Sequence, residues 1–125
     1  MRQVRVRVRE KIDDVADFCN VEVAFAVVGG KWKMLIVKYL LPGPLRFGEL
    51  RRAMPSVTQR MLTRQLRELE EDGLVHRTVH AEVPPRTEYG LTALGHSLEP
   101  IVEGLDEWGR RYRDEAATAE PRATR

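Results

Sequence analysis

The chain has 125 residues, which is enough for a single hydrophobic core but not for two. With 42% hydrophobic and 32% charged residues it has an ordinary globular composition, and its longest apolar run, residues 23–28, is too short to span a bilayer. We therefore expect no membrane segment, no signal peptide and a cytoplasmic location. Cys19 is the only cysteine, which excludes an intramolecular disulfide and fits a reducing compartment.

The net charge of +2 conceals a separation of charge along the chain. Residues 31–67 contain nine Lys or Arg and one acid, Glu49, so this segment carries +8 and the rest of the chain −6. A positive segment of this size predicts an anionic partner, and nucleic acid is the partner that we favour. A solvated basic face is the alternative explanation.

The N-terminal part of the chain predicts a basic arm, residues 1–18, followed by three helices. In the arm, Val and Arg alternate with the period of a strand. Apolar residues then recur with helical spacing, and Gly and Pro residues at 29–30 and 42–44 separate the segments. The predicted helices span about 20–28, 31–41 and 47–54, with a short strand at 46–47.

The next helix, predicted within residues 57–75, has two chemically different faces. At 100° per residue its leucines cluster on one side, and the other side carries Arg60, Thr63, Arg64 and Arg67. Thr58 is the expected N-cap and Gly73 the expected C-terminal stop. Because the acids of the last turn oppose the helix dipole, the order of charges indicates a basic half that is offered to a partner.

The C-terminal part predicts a β-hairpin and a long helix. The strands are expected at 75–83 and 86–91, on either side of a stiff tip at Pro84-Pro85. Thr92 then caps a helix that we expect to continue to residue 115, with a kink at Pro100 because the apolar period runs through the proline. Residues 116–125 are small and polar and are predicted to be disordered.

The predicted order α-α-β-α-α-β-β-α is mainly helical with a small hairpin, and it is the order of a winged helix-turn-helix. We assign residues 19–92 to this winged helix and residues 93–115 to a dimerisation helix of the same domain. In such a fold one helix fits the major groove of double-stranded DNA, and the hairpin reaches the neighbouring backbone.

The basic and hydrogen-bonding residues of this arrangement divide into three groups. The predicted base-reading residues are Gln59, Arg60, Thr63 and Arg64. The predicted contacts to the DNA backbone are Lys31, Lys33, Arg51, Arg52, Thr58 and Arg67. The predicted wing contacts are Arg77, His80 and Arg86.

No motif in the sequence indicates catalysis or a bound metal. We find no nucleophile elbow, phosphate loop or acid pair. His76 and His80 share a strand face with Glu82, but this set lacks a fourth ligand. We therefore predict a protein that is not an enzyme and that has no cofactor or metal.

Several short motifs, in this order along the chain, resemble those of HxlR-type transcriptional regulators. They are Cys19, VGGKW at 28–32, Gly43-Pro44, Arg46-Phe47, Glu49-Leu50, LRELE at 66–70, DGLV at 72–75, PPR at 84–86, Glu88-Tyr89 and Leu91-Thr92. The resemblance covers about residues 19–112 and implies a homodimeric bacterial protein of MarR-like architecture that binds operator DNA. Asn20 stands where the family often has proline, and the basic arm lies outside the family pattern.

The final helix predicts a dimer independently of the resemblance. Its apolar residues step by 4, 3, 4, 3 and 4, like a coiled-coil seam, and the first helix has similar spacing. The predicted interface residues are Phe18, Val21, Phe25, Leu98, Ile101, Leu105, Trp108 and Tyr112. Packing of this stripe on its own domain is the alternative. A two-fold dimer would require a pseudo-palindromic operator.

Cys19 is the residue with reactive potential. The resemblance implies a role in sensing, since some members of the family use an N-terminal cysteine to detect oxidising or thiol-reactive compounds. At a helix start the dipole would favour the thiolate, whereas Asp17 and Glu22 oppose it. Because free cysteines are usually inert, a redox sensor and an inert residue both stay open.

Two functions are consistent with these features. The one that we favour is a sequence-specific DNA-binding transcriptional regulator that acts as a homodimer, and we favour a repressor over an activator. We expect its DNA binding to respond to an unknown small-molecule effector or redox signal. The alternative is a winged helix that serves as a protein-interaction module without sequence-specific DNA binding. The apolar seam and the acidic helix end motivate that alternative.

Overall fold

The computed structural model describes residues 19–119 of the chain. The predicted basic arm, including Phe18, and residues 120–125 of the predicted tail lie outside the described residues. Within 19–119, no helix is both long enough and apolar enough to cross a membrane.

The described residues form six helices and three short strands. In chain order they are α1 (Asn20–Val28), α2 (Lys33–Leu40), β1 (Leu45–Arg46), α3 (Phe47–Ala53), α4 (Gln59–Glu71), β2 (Val75–His80), β3 (Arg86–Leu91), α5 (Ala93–His96) and α6 (Glu99–Thr118). The order of these elements is that of the predicted winged helix-turn-helix, except that the final helix is divided into two. The fold class predicted from the sequence is confirmed.

The three strands form one antiparallel sheet in the order β1-β3-β2. Strands β2 and β3 pair along their whole length, from Val75 opposite Leu91 to His80 opposite Arg86, and residues 81–85 join them as the tip of the wing. The prediction that β2 continues to Val83 is wrong. The pairing ends at His80 because the following Pro84-Pro85 lacks backbone donors, and the side chain of Val83 is fully exposed.

The core lies between the inner faces of α2, α3 and α4 and the start of the sheet. Leucines 62, 66 and 69 of α4 are buried together, as the predicted apolar face requires. They join buried residues from the other elements, namely Ile36, Val37, Leu40, Leu50, Leu74, Val75 and Leu91. This packing fixes one side of α4 against the domain and leaves the other side in solvent.

The ends of α4 are fixed by the residues predicted to cap it. The hydroxyl of Thr58 accepts a hydrogen bond from the backbone N–H of Met61 at 3.0 Å, which satisfies a donor of the first turn. Gly73 has φ of +81°, a conformation that glycine adopts without a side-chain clash. Thr92 then donates a hydrogen bond of 2.7 Å to the carbonyl of Gly73, so the end of α4 is tied to the start of α5.

The prediction of one long helix with a kink at Pro100 is wrong. The structure has a short α5 and a separate α6, and Pro100 lies in the first turn of α6. Proline is tolerated there because the N–H that it lacks would have no partner within the helix. Helix α6 also extends to Thr118, which is three residues into the segment predicted to be disordered.

Candidate nucleic-acid interface

The outer face of α4 carries the predicted base-reading residues together. The side chains of Gln59, Arg60, Thr63 and Arg64 are exposed along one face of the helix, with Arg67 a turn further along. This face lies opposite the buried leucines of the same helix. Burial of the apolar face therefore holds these polar side chains toward solvent, at the N-terminal end and middle of the helix.

Lys33 does not belong to this exposed surface, and its prediction as a DNA-backbone contact is wrong. The residue is only 5% exposed, and its Nζ lies 2.6 Å from Oε1 of Glu68. Lys33 opens α2, and its side chain points toward α4 instead of solvent. An ammonium buried without a partner would be costly, so the ion pair with Glu68 is what makes this burial tolerable.

Glu68 is a residue of the site that sequence reasoning missed. Its second carboxylate oxygen, Oε2, lies 3.5 Å from Nε of Arg64, four residues earlier on α4. Arg64 is nevertheless well exposed, at 68% of its side chain. The i,i+4 spacing to Arg64 was a signal in the sequence, but nothing in the sequence placed Lys33 against the same carboxylate.

The remaining residues predicted to contact the DNA backbone differ in how exposed their side chains are and in whether they already make a hydrogen bond within the protein. Lys31 and Arg52 are exposed, and Lys31 Nζ lies 4.7 Å from the centre of the Trp32 ring. Arg51 is partly buried, and its Nη2 donates a hydrogen bond of 3.4 Å to the carbonyl of Val57. This bond ties α3 to the turn before α4. Thr58 uses its hydroxyl oxygen for the helix cap, which leaves its O–H available as a donor.

The predicted wing residues are paired with carboxylates, two of them within the wing and one on α4. Arg86 contacts Glu82 at 3.1 Å and Glu88 at 3.6 Å, and His80 Nε2 lies 3.0 Å from Oε1 of Glu88. Arg77 lies 3.9 Å from Glu70 of α4. Sequence reasoning named the wing cations but missed Glu88, although Arg86 and Glu88 are two apart on one strand and therefore share a face.

Apolar side chains lie exposed on α1 and on one face of α6, and together we call them the apolar strip. Phe25 is 69% exposed and Trp108 62%, and the ring of Trp108 stacks on that of Tyr112 with 5.4 Å between centroids. The exposed residues of the strip are Val21, Phe25, Ile101, Leu105, Trp108 and Tyr112. Leu98 differs from this predicted set because it packs partly against the domain's own core.

Cys19 lies at the N-cap of α1 and is exposed. Its backbone N–H donates a hydrogen bond of 2.9 Å to the carboxylate of Glu22, which fixes the start of the helix.

The histidines of β2 do not form a metal site with other described residues. His76 lies 3.4 Å from the hydroxyl of Thr78 on its own strand. Among the described residues, no group of three or more His, Cys, Asp or Glu side chains has an arrangement that could hold a metal ion.

In this winged helix, the second helix of the helix-turn-helix, α4, carries an exposed polar face. That arrangement is typical of one class of proteins, the helix-turn-helix transcriptional regulators. The chain belongs within that class to the HxlR-like helix-turn-helix family, whose sequence model matches residues 27–117. The resemblance read from the motifs is thereby confirmed.

Individual relatives and solved structures agree with this assignment. The chain is 45% identical over 114 residues to YdeP, an HTH-type transcriptional regulator of Bacillus subtilis (strain 168), across 91% of this chain and 88% of YdeP. It is 51% identical to the redox regulator HypR in its reduced form, with a TM-score of 0.75 over 81% of this chain and all of that one. The reduced transcriptional regulator YodB from B. subtilis is 34% identical, with a TM-score of 0.67 over 76% of this chain and 94% of YodB.

Proposed function

We propose that this transcriptional regulator binds DNA in a sequence-specific manner through the outer face of α4. The observation that carries the proposal is the division of α4, with three leucines buried and five polar side chains, from Gln59 to Arg67, exposed along the opposite side. A helix presented in this way fits the major groove, where each base pair offers a distinct pattern of donors and acceptors.

The exposed residues would take different roles on DNA. Arg60 and Arg64 present guanidinium groups suited to O6 and N7 of guanine, while Gln59 and Thr63 can accept or donate hydrogen bonds to other base edges. Lys31, Arg52, Arg67 and the hydroxyl of Thr58 would contact phosphates, which would set position and register without reading sequence.

We further propose that the protein acts as a homodimer. The exposed strip on α1 and α6 is the support, since six apolar side chains in solvent, two of them stacked aromatics, are typical of an interface. A two-fold dimer would present two copies of α4 and would read a pseudo-palindromic operator.

A redox response through Cys19 is the third part of the proposal. The thiol is exposed in the single chain, and HypR, to which this chain is similar, is a redox regulator. Because Cys19 is the only cysteine in the sequence, a disulfide within one chain is impossible, and a disulfide formed by this protein alone would join two copies of the chain.

The experiment that tests DNA binding is a salt titration with the duplex that lies upstream of the protein's own gene. We expect log Kd to rise linearly with log salt, with a slope of about 0.9 for each phosphate contact. Arg64→Ala should lower affinity for this duplex about 5- to 150-fold, which corresponds to loss of a base contact, and affect a scrambled duplex far less. Arg111→Ala, on α6, is the matched control and should change neither.

Affinity that does not vary with salt would rule out an interface built on phosphates. If Arg64→Ala lowers the affinity for both duplexes equally, Arg64 does not read a base and contacts a phosphate instead.

A further inference from the structure

Glu68 lies between two cations that have different surroundings. Its Oε1 is 2.6 Å from the buried ammonium of Lys33, and its Oε2 is 3.5 Å from Nε of the exposed Arg64. One carboxylate therefore connects the start of α2 to the proposed base-reading face of α4. The side chain of Glu68 is itself only 24% exposed.

The contact with Lys33 fixes where the Glu68 carboxylate lies. Lys33 is buried, so losing its partner would leave an uncompensated charge away from water, which is strongly unfavourable. The pair is also short and joins two packed helices, so the carboxylate cannot rotate freely about its own side chain. Glu68 is thus a rigid point on an otherwise solvent-exposed helix face.

The ion pair with Arg64 lies on the Nε side of the guanidinium, at 3.5 Å. A guanidinium has five N–H donors in a fixed plane, and the four on the two Nη atoms are not used by this contact. Those Nη donors are the group that forms a bidentate pair with guanine O6 and N7. Because this ion pair favours rotamers that bring the guanidinium toward Glu68, Arg64 loses less rotamer freedom when it makes the pair with guanine.

We propose that Glu68 is a specificity-determining residue that positions Arg64 for its base contact, an inference that rests on the proposed DNA binding by α4. Glu68 acts through Arg64 and does not itself read a base. Its negative charge also lies on the face that meets DNA, so it weakens attraction to phosphates in general. Loss of the charge therefore has opposite effects on the two kinds of binding.

The test measures Kd for Glu68→Gln on a duplex selected by the wild-type protein and on a scrambled duplex. We expect binding to the scrambled duplex to tighten, binding to the selected duplex to weaken, and the ratio of the two Kd values to fall about two- to fivefold, which is less than loss of the whole base contact. Glu70→Gln is the matched control, because Glu70 lies on the same helix and pairs with Arg77 at 3.9 Å. It should leave the ratio unchanged.

A double-mutant cycle shows whether the effect passes through Arg64. In an Arg64→Ala background, Glu68→Gln should produce no further fall in the ratio, because the positioned group is gone. Lys33→Met with Glu68→Gln removes both buried charges, so this variant keeps the test valid if Glu68→Gln alone unfolds. The double variant should show the same loss of specificity.

An unchanged ratio in a folded Glu68 variant, or an equal fall with and without Arg64, would overturn the assignment. Failure of the wild-type protein to prefer any duplex is a different result, since it would contradict the proposed function itself.

Discussion

Cys19 shows how much a single residue's setting matters. It is exposed at the start of α1, on the same helix as the exposed Phe25, and its backbone is held by Glu22. A thiol in this position is accessible to an oxidant, unlike the buried cysteines that make up most free thiols in proteins. In a dimer formed through α1 and α6, a disulfide from Cys19 would have to reach the partner protomer.

Replacing Cys19 by Ser should remove the redox response that we propose. With diamide as the two-electron oxidant, the wild-type protein should form a chain-to-chain disulfide, visible on a non-reducing gel, and its affinity for the selected duplex should change reversibly with dithiothreitol. Cys19→Ser should bind DNA like reduced wild type under both conditions. If the serine variant responds to diamide as wild type does, Cys19 is not the sensor.

At the level of residues, the sequence predicted the exposed face of α4 better than the buried contacts behind it, which Lys33 and Glu68 make. The arginines of α4 could be placed on one face because helical spacing alone determines which residues share a side. The burial of Lys33 could not be predicted, because a cation at a helix start is equally compatible with phosphate and with a buried partner. Only the packing of α2 against α4 decides between them, and Glu68 then explains one acid that the helix dipole disfavours.

The wing is the element whose charges the structure changes most. Its arginines are paired within the protein, so the wing is less positive than a count of Arg77 and Arg86 indicates. Glu88 contacts both His80 and Arg86, and Arg86 is only 31% exposed. For the wing to hold a phosphate, Arg86 must exchange a carboxylate for the DNA backbone.

Glu88→Gln should therefore strengthen binding of the wing to DNA. We expect affinity for selected and scrambled duplexes to rise together by a few-fold, and the salt slope to steepen by about one contact, because Arg86 loses a competing partner. Glu115→Gln on α6 breaks a comparable pair, with Arg111 at 3.0 Å, and serves as the control. If slope and affinity match those of the control, the wing does not approach DNA in this way.

The bounds of α4 were predictable from sequence, whereas the division of the final helix was not. Thr58 and Gly73 bound α4 because each satisfies a local backbone requirement. The division between α5 and α6 was missed because the apolar period continues across it and Pro100 fits either a kink or a first turn.

Within residues 19–119, the molecule combines a packed winged helix with an apolar strip that the core of these residues does not cover. Val102 anchors α6 to the core, while Leu105, Trp108 and Tyr112 stay exposed further along the helix. The ion pairs of Arg110 lie on the other side of α6, where Glu107 raises the pKa of Arg110 by hydrogen bonding and charge, followed by the charge of Asp106. Apolar side chains left in solvent on one face of a helix are typical of an interface, so a second copy of the chain is the partner that we propose.

The central claim, that two copies of α4 read DNA together, is tested most directly by selecting binding sites from a pool of random duplexes. We predict recovery of one pseudo-palindromic sequence whose half-sites lie about 34–36 Å apart, one helical turn of DNA, because a two-fold dimer must face two equivalent major-groove segments. Recovery of a single asymmetric site would contradict the claim that a two-fold dimer binds DNA with both copies of α4. Recovery of no sequence at all would contradict specific binding and favour the protein-interaction module instead.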